Sequence, residues 1–206
     1  MPSFVLASQS PARLQTLRNA GLNPVVIVSG VDESVLDGLH PRELALGLAE
    51  LKAAAVADRV STGSTAVAPG VLILGCDSVL EFDGQALGKP GDADTTRARW
   101  QQMRGQSGVL VTGHSLIDTA NGTRVSKVAS TTVYFADIDD DEIDAYVATG
   151  EPLHVAGAFT VDSLGGAFVT RIEGDYHNVV GVSLPLLREM VVELGHRWTS
   201  LWTTAQ

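Results

Sequence analysis

Five charged residues, Arg13, Glu33, Lys52, Asp77 and Lys89, stand beside or just beyond apolar runs in the first half of the chain. Two carboxylates and three cations in such places suit one task, the gripping of a polyphosphate together with a divalent metal. Lysines act as point charges on phosphate oxygens, and arginine can donate in pairs. A carboxylate-held Mg²⁺ or Mn²⁺ can orient a water and lower its pKa. Taken singly, each residue has a plainer role. Asp77, following the run VLILGC, could be a metal ligand or general base, or equally an Asx turn closing a strand. Lys89 before Pro90 reads as a turn residue, Glu33 as a solvated acid, and Arg13 and Lys52 as surface charges of helices. The set, and no single member of it, carries the chemistry.

The elements that must position this set follow from local patterning. Ser3–Ala7 reads as a first strand, and Ser10-Pro11 as an N-cap and first helical residue of a helix that Gly21 ends. Asn23–Val28 reads as a second strand. From Pro41 to Val60, Leu44, Leu48, Leu51 and Ala55 recur at helical spacing with Lys52 beside the stripe. The apolar run Val71–Cys76 predicts a strand buried on both faces, with Asp77 at its end. Asp92–Met103 reads as a helix. Gly108–Asp118 and Thr123–Asp137 then read as strands joined by an Asn121-Gly122 hairpin turn. Helices over Asp140–Ala148 and Pro185–Leu194 flank a strand-like Ala167–Ile172. This order predicts an α/β fold with a mixed central sheet and flanking helices, as one domain over residues 1–206. In such sheets ligands gather where strands end.

Bulk properties narrow the classes. A net charge of −10 argues against nucleic acid as a partner, which needs a basic face. It leaves room for a small anion, because salt screens distant carboxylates beyond ~8 Å. No apolar run has the length of a membrane span, and the N-terminus lacks the basic start of a signal peptide. The lone Cys76 reads as a buried core residue and fits the reducing cytoplasm. Trp198 and Trp202, four apart, read as packing rather than as an interface stripe, though a homodimer stays open.

Several familiar signatures fail. Gly84 to Lys89 is one residue short of a P-loop, and Pro90 stands where the metal-binding hydroxyl belongs. No G-x-G-x-x-G follows the first strand. Asp137, Asp139 and Asp141 begin like a calcium loop, but Glu142 replaces its glycine, so a helix cap is the better reading. The five histidines show no zinc spacing.

Taken in order, the segments resemble the Maf family of nucleoside triphosphate pyrophosphatases. LASQSPARLQTLRNAG is similar to its N-terminal signature, VDES to an acidic motif, ELKAAAV to a lysine-bearing helix, and GCDSV with LGKP to a paired motif. VTG at Val111–Gly113, GEP at Gly150–Pro152, AGAF at Ala156–Phe159 and IEGDYHNVVG continue the match. The resemblance implies a two-lobed α/β fold with a cleft. It also implies cleavage between the α and β phosphates of a ribo- or deoxyribonucleoside triphosphate, in a house-cleaning role against non-standard nucleotides. By position, Asp77 would be the catalytic acid/base and a metal ligand, with Glu33 supporting the Mg²⁺ or Mn²⁺. Arg13, Lys52 and Lys89 would hold the triphosphate, and Ser8 would line the same pocket. Asp162 would face the base where the family usually has Gln or Glu; a carboxylate only accepts, which leaves two alternatives, a preference for a donor-rich base edge or a permissive pocket. Ala12 replaces an arginine, Ser78 a threonine, and Gly108 a histidine found in many members. A nucleotide-binding regulator of cell division, or a phosphatase releasing single phosphates, are the alternatives.

Overall fold

The computed structural model describes residues 4–36 and 38–203; Ser3, expected to begin the first strand, lies outside them. β1 (Phe4–Leu6) pairs in parallel with β2 (Val25–Val26) and β3 (Leu72–Phe82). On its other side β3 pairs antiparallel with β5 (Ser107–Asp118), β5 with β6 (Thr123–Phe135), and β6 with β7 (Val169–Glu173). A short β4 (Gln85–Leu87) folds back onto the end of β3. The result is a mixed seven-stranded sheet, order β2-β1-β3-β5-β6-β7, with β4 on β3. This is the α/β class that the alternation of elements predicts.

One consequence of that order positions everything else. β5 pairs with β3 from Leu72 to Glu81 without a break. The opposite edge of β3 is shared: β1 takes Leu72 to Leu74, and β4 takes Leu80 to Phe82. Between them, Gly75–Val79 has no partner strand on that side among the described residues.

Asp77 therefore does not end a strand, as its position after an apolar run suggests. It lies in the middle of one that continues to Phe82, and the Asx-turn alternative falls with the strand end. The apolar run stops at Asp77 because the strand there crosses a polar site, while the β5 ladder continues to hold the backbone. The second strand shrinks from Asn23–Val28 to Val25–Val26, since its partner β1 ends at Leu6. β7 starts at Val169, after a 3₁₀ turn over Leu164–Phe168.

The helices follow their sequence signals. Ser10 caps α1 (Pro11–Asn19) by accepting from the Arg13 N–H. Asp92 and Asp139 cap α3 (Ala93–Met103) and α4 (Asp140–Ala148), so the calcium-like run of aspartates is a helix start. Gly122, at a φ of 75°, forms the tight turn between β5 and β6, where its lack of a side chain removes the steric cost of that conformation. The longest helix, α2 (Pro41–Ser61), lies on one face of the sheet. α5 (Tyr176–Val180), which the periodicity does not signal, and α6 (Leu184–Glu193) follow, and a 3₁₀ turn over Trp198–Leu201 comes after them. Trp198 packs on the core beside α6, and Trp202 lies over Gly21.

Side chains from alternate faces of β3 join different cores, as a strand's period of two requires. Leu72, Leu74 and Cys76 pack with Leu17 of α1 and Leu187 and Met190 of α6. Ile73 packs with Val5 and with Val56 and Val60 of α2. A separate cluster around Trp100, Phe135, Ile143 and Tyr146 takes in Leu80, beyond the bare edge. No helix among the described residues is long and apolar enough to cross a membrane.

Candidate active site

Asp77 and Ser78 are neighbours on β3, so they project to opposite faces of the sheet at its bare edge. Each meets one half of the charged set. On the α2 face, the Lys52 ammonium donates to Asp77 Oδ1 at 2.5 Å and lies 2.8 Å from Glu33 Oε1. Lys52 is buried, its side chain only 10% exposed, while that of Glu33 is 56% exposed. The stem of the lysine thus runs inside the protein and its charge emerges between two carboxylates.

Two glycines make that approach possible. A β carbon at Gly75 would overlap the Ala49 carbonyl of α2, and one at Gly113 of β5 would overlap the Ala45 carbonyl. Only a side-chain-free strand surface lets the α2 backbone come this close. Glu33 opens a 3₁₀ turn over Glu33–Leu36. Asp32 fixes that turn by accepting from both the N–H and the hydroxyl of Ser34. Those two bonds hold the exposed Asp32 carboxyl below its ordinary range. Leu36 seats against Gly47 of α2, where any side chain would collide with its Cδ1.

On the other face, Arg13 uses three donors. Nε donates to the Gly181 carbonyl at 2.7 Å, Nη1 to Ser8 Oγ at 3.2 Å, and Nη2 to Ser78 Oγ at 2.9 Å. Ser78 is linked in turn to Thr112 of β5 at 2.9 Å, and Thr112 donates to the Asn178 carbonyl. Among the described residues no carboxylate lies within ion-pair distance of Arg13, so its charge is aimed by neutral partners and not balanced by an ion pair. Ser8, just after β1, also accepts from the Ser10 N–H.

The anchor of Arg13 is itself fixed from beneath. Gly181 begins the turn into α6, and the Ser183 N–H there donates to His114 Nε2 at 2.9 Å. The other ring nitrogen, Nδ1, lies 3.0 Å from the Thr112 carbonyl. A backbone N–H can only donate, so Nε2 must be the bare nitrogen and the ring is neutral. Burial pushes the His114 pKa down to about 4, against the pull of the Thr112 carbonyl.

Lys89 and Asp162 stand apart from these two clusters. Lys89 is exposed beyond β4, and Arg99 steadies the preceding residue by donating to the Gly88 carbonyl at 2.7 Å. Asp162 is exposed on the loop before the Leu164–Phe168 turn. It lines a concavity of about 220 Å³ together with Ala12, Gln15, Tyr176 and His177. The structure thus gathers Glu33, Lys52 and Asp77 on one face and Ser8 and Arg13 on the other, and it leaves Lys89 and Asp162 separate. Ser78, Thr112 and Asn178 join the site without being singled out as ligands by residue type. Their signals lie inside the GCDSV, VTG and YHNVVG segments. Cys76 is buried beside Asp77, and burial raises its thiol pKa to about 12, which keeps it unreactive at neutral pH.

The donor set can be weighed against a divalent metal. No group of three or more His, Cys, Asp or Glu among the described residues is placed to hold one. Glu33 and Asp77 do converge on a single cation, the Lys52 ammonium, so the place between them already selects positive charge. Mg²⁺ is commonly held by one or two carboxylates plus substrate phosphates and not by a full protein cage. Hard oxygen donors of this number fit a metal shared with a phosphate.

At one bare edge the central strand of this α/β sheet thus presents an arginine held by neutral partners on one face and a carboxylate–lysine–carboxylate chain on the other, a charge pattern of the class that suits polyphosphates. Within that class, the chain belongs to the Maf-like protein family, whose family model matches residues 3–194. It is 56% identical over 203 residues to a nucleoside triphosphate pyrophosphatase of Streptomyces coelicolor, covering 98% of this chain and 96% of that one. A protein of the same description from Salinispora tropica is 58% identical, covering 97% and 87% of the two chains. One from Trichodesmium erythraeum is 45% identical, covering 98% and 99%.

Proposed function

We propose that this protein is a nucleoside triphosphate pyrophosphatase, hydrolysing its substrate to the monophosphate and pyrophosphate. The observation that supports this most directly is the division of labour at Asp77-Ser78. One strand presents a carboxylate–lysine–carboxylate chain on one face and a three-point arginine clamp on the other, and both open onto the same gap in the sheet.

In this reading the gap between β1 and β4 is the mouth of a cleft that receives the triphosphate. Phosphoryl transfer asks little of a protein beyond positioning and charge neutralisation. Arg13, held by Ser8, Ser78 and Gly181, orients phosphate oxygens by paired donation. Lys52 and Lys89 add positive charge, Lys52 from a fixed stem and Lys89 from the exposed segment after β4. Asp77 takes the proton from the attacking water and returns it to the leaving side. Glu33 and Asp77 would hold Mg²⁺ or Mn²⁺, which, when bound, neutralises phosphate charge and lowers the pKa of a bound water. Asp162, at the pocket beside α1, faces the base and favours an edge rich in donors. The lone buried thiol suits the cytoplasm, where clearing non-standard nucleotides is the fitting role.

The test is hydrolysis of a panel of nucleoside triphosphates with Mg²⁺ or Mn²⁺, assaying pyrophosphate and free phosphate separately. Pyrophosphate with monophosphate is expected. Release of single phosphates alone would overturn the assigned bond, and absence of turnover with either metal would overturn the assigned activity.

A further inference from the structure

Among the described residues, Glu151 is the most heavily hydrogen-bonded side chain outside the site just described. It opens a 3₁₀ turn over Glu151–His154, and its carboxylate gathers five donors. Oε1 accepts from Tyr146 Oη at 2.9 Å, Thr160 Oγ1 at 2.6 Å and the Gly165 N–H at 3.0 Å. Oε2 accepts from Ser163 Oγ at 2.8 Å and the Leu164 N–H at 3.2 Å. Four of the five donors belong to the loop 160–165, on which Asp162 sits. Tyr146 closes the ring by accepting from the Thr160 N–H as well.

That loop has little else to fix it. Asp162, Ser163 and Leu164 are exposed, and Leu164 sends no side chain into the core. Its tight path is possible because Gly165 and Gly166 carry no side chain. A β carbon at Gly165 would collide with Tyr146 Oη, and one at Gly166 would lie 2.8 Å from the Val161 carbonyl oxygen. The loop is wrapped around one carboxylate as its hub.

We propose that Glu151 is a positioning residue for nucleotide selection, holding the 160–165 loop so that Asp162 stays at the wall of the pocket beside α1. This rests on the reading that Asp162 touches the nucleotide. An ionised carboxylate suits the hub because it is acceptor-only. Burial alone would raise its pKa, but the Thr160, Gly165, Ser163 and Tyr146 bonds together bring it down to about 2. The hub is therefore charged throughout the physiological range. Glu151→Gln is a sharp probe for a geometric reason. The Leu164 and Gly165 amides bond different oxygens, so whichever becomes NH₂, one backbone donor loses its acceptor.

The experiment measures the ratio of kcat/KM for a pyrimidine and a purine triphosphate. It compares wild type, Glu151→Gln, Asp162→Ala and the double variant, alongside hydrogen exchange of the amides in the loop. Glu151→Gln is expected to speed exchange at Leu164 and Gly165 and to shift the ratio about three- to tenfold, mainly through KM, as loss of one or two modest bonds would. In the Asp162→Ala background it should shift the ratio no further. If Asp162→Ala changes the ratio and Glu151→Gln does not, the positioning role is wrong and the Asp162 reading survives. If Asp162→Ala leaves the ratio unchanged, the Asp162 reading fails and takes the positioning role with it. A Glu151→Gln shift that persists undiminished in the double variant also overturns the proposal. Ser163→Ala, which removes a single donor, should give a smaller shift in the same direction and serves if Glu151→Gln does not fold.

Discussion

Gly113 stands opposite Asp77 in the β3–β5 register, and the space its β carbon would fill belongs to the Ala45 carbonyl of α2. The glycine on one strand thus sets how closely the helix bearing Lys52 can approach the carboxylate on the next. Backbone contact, more than any side chain, determines the Lys52–Asp77 separation.

Gly113→Ala tests this directly. The added methyl must push α2 off the sheet, an overpacking cost of about 1–3 kcal/mol. In a chain of this size that is roughly 2–12 °C in Tm. Activity should fall more than stability suggests, because Lys52 moves with the helix. Calorimetry and steady-state kinetics on the same sample check it; an unchanged Tm would show that α2 is not in contact at Gly113.

Asp77→Asn should lower kcat by about 10²–10⁴, the range of a lost general acid/base. The amide oxygen still accepts from Lys52 but carries no charge, so a stability loss of about 1–3 kcal/mol accompanies it. Turnover within a few-fold of wild type would remove Asp77 from the chemistry. Urea titration of the same variant separates folding from catalysis.

Arg13→Lys keeps the charge but cannot reach Gly181, Ser8 and Ser78 together. Losing charge-assisted bonds worth about 1.5–3 kcal/mol predicts a drop of roughly 10- to 150-fold in kcat/KM. Ser78→Ala removes the Nη2 acceptor and the link to Thr112 but leaves the guanidinium in place, and should cost less. Equal losses in the two variants would show that aiming, and not donation to phosphate, is what Arg13 contributes.

His114 makes stability depend on pH in a defined window. Its pKa is depressed to about 4 in the fold, against an ordinary value near 6.5. The unfolded chain therefore takes up a proton before the folded one does. Its contribution is fully present above about pH 6.5 and is lost as pH falls toward 4, by at most about 3 kcal/mol. Urea midpoints across this range should fall for wild type and flatten for His114→Gln. A parallel decline in both would assign the window to other groups.

How much of this was legible in sequence differs by element, for physical reasons. Helix starts at Ser10, Asp92 and Asp139 could be read because a cap is a local bond between near neighbours. The Asn121-Gly122 hairpin is local in the same sense. Asp77 was found as a candidate, but its place in the strand was not. A polar pair inside a buried strand looks like a strand end until the partner strand is known. The Arg13–Gly181 bond spans most of the chain, and the hub at Glu151 joins residues with no common periodicity. Neither leaves a trace in local pattern. The GEP and IEGDYHNVVG segments mark the two places, at Glu151 and Gly181, without saying what they do.

Exposed strand edges invite other chains to add to them, and proteins usually blunt them with charge or cover. β3 keeps its edge bare at Gly75–Val79, yet β1 closes one end and β4 the other. An incoming strand would have to enter a window closed at both ends, by β1 at Leu74 and by β4 at Leu80, and could not extend past either. The same interruption in the sheet that would admit a ligand thus limits the template it offers for aggregation.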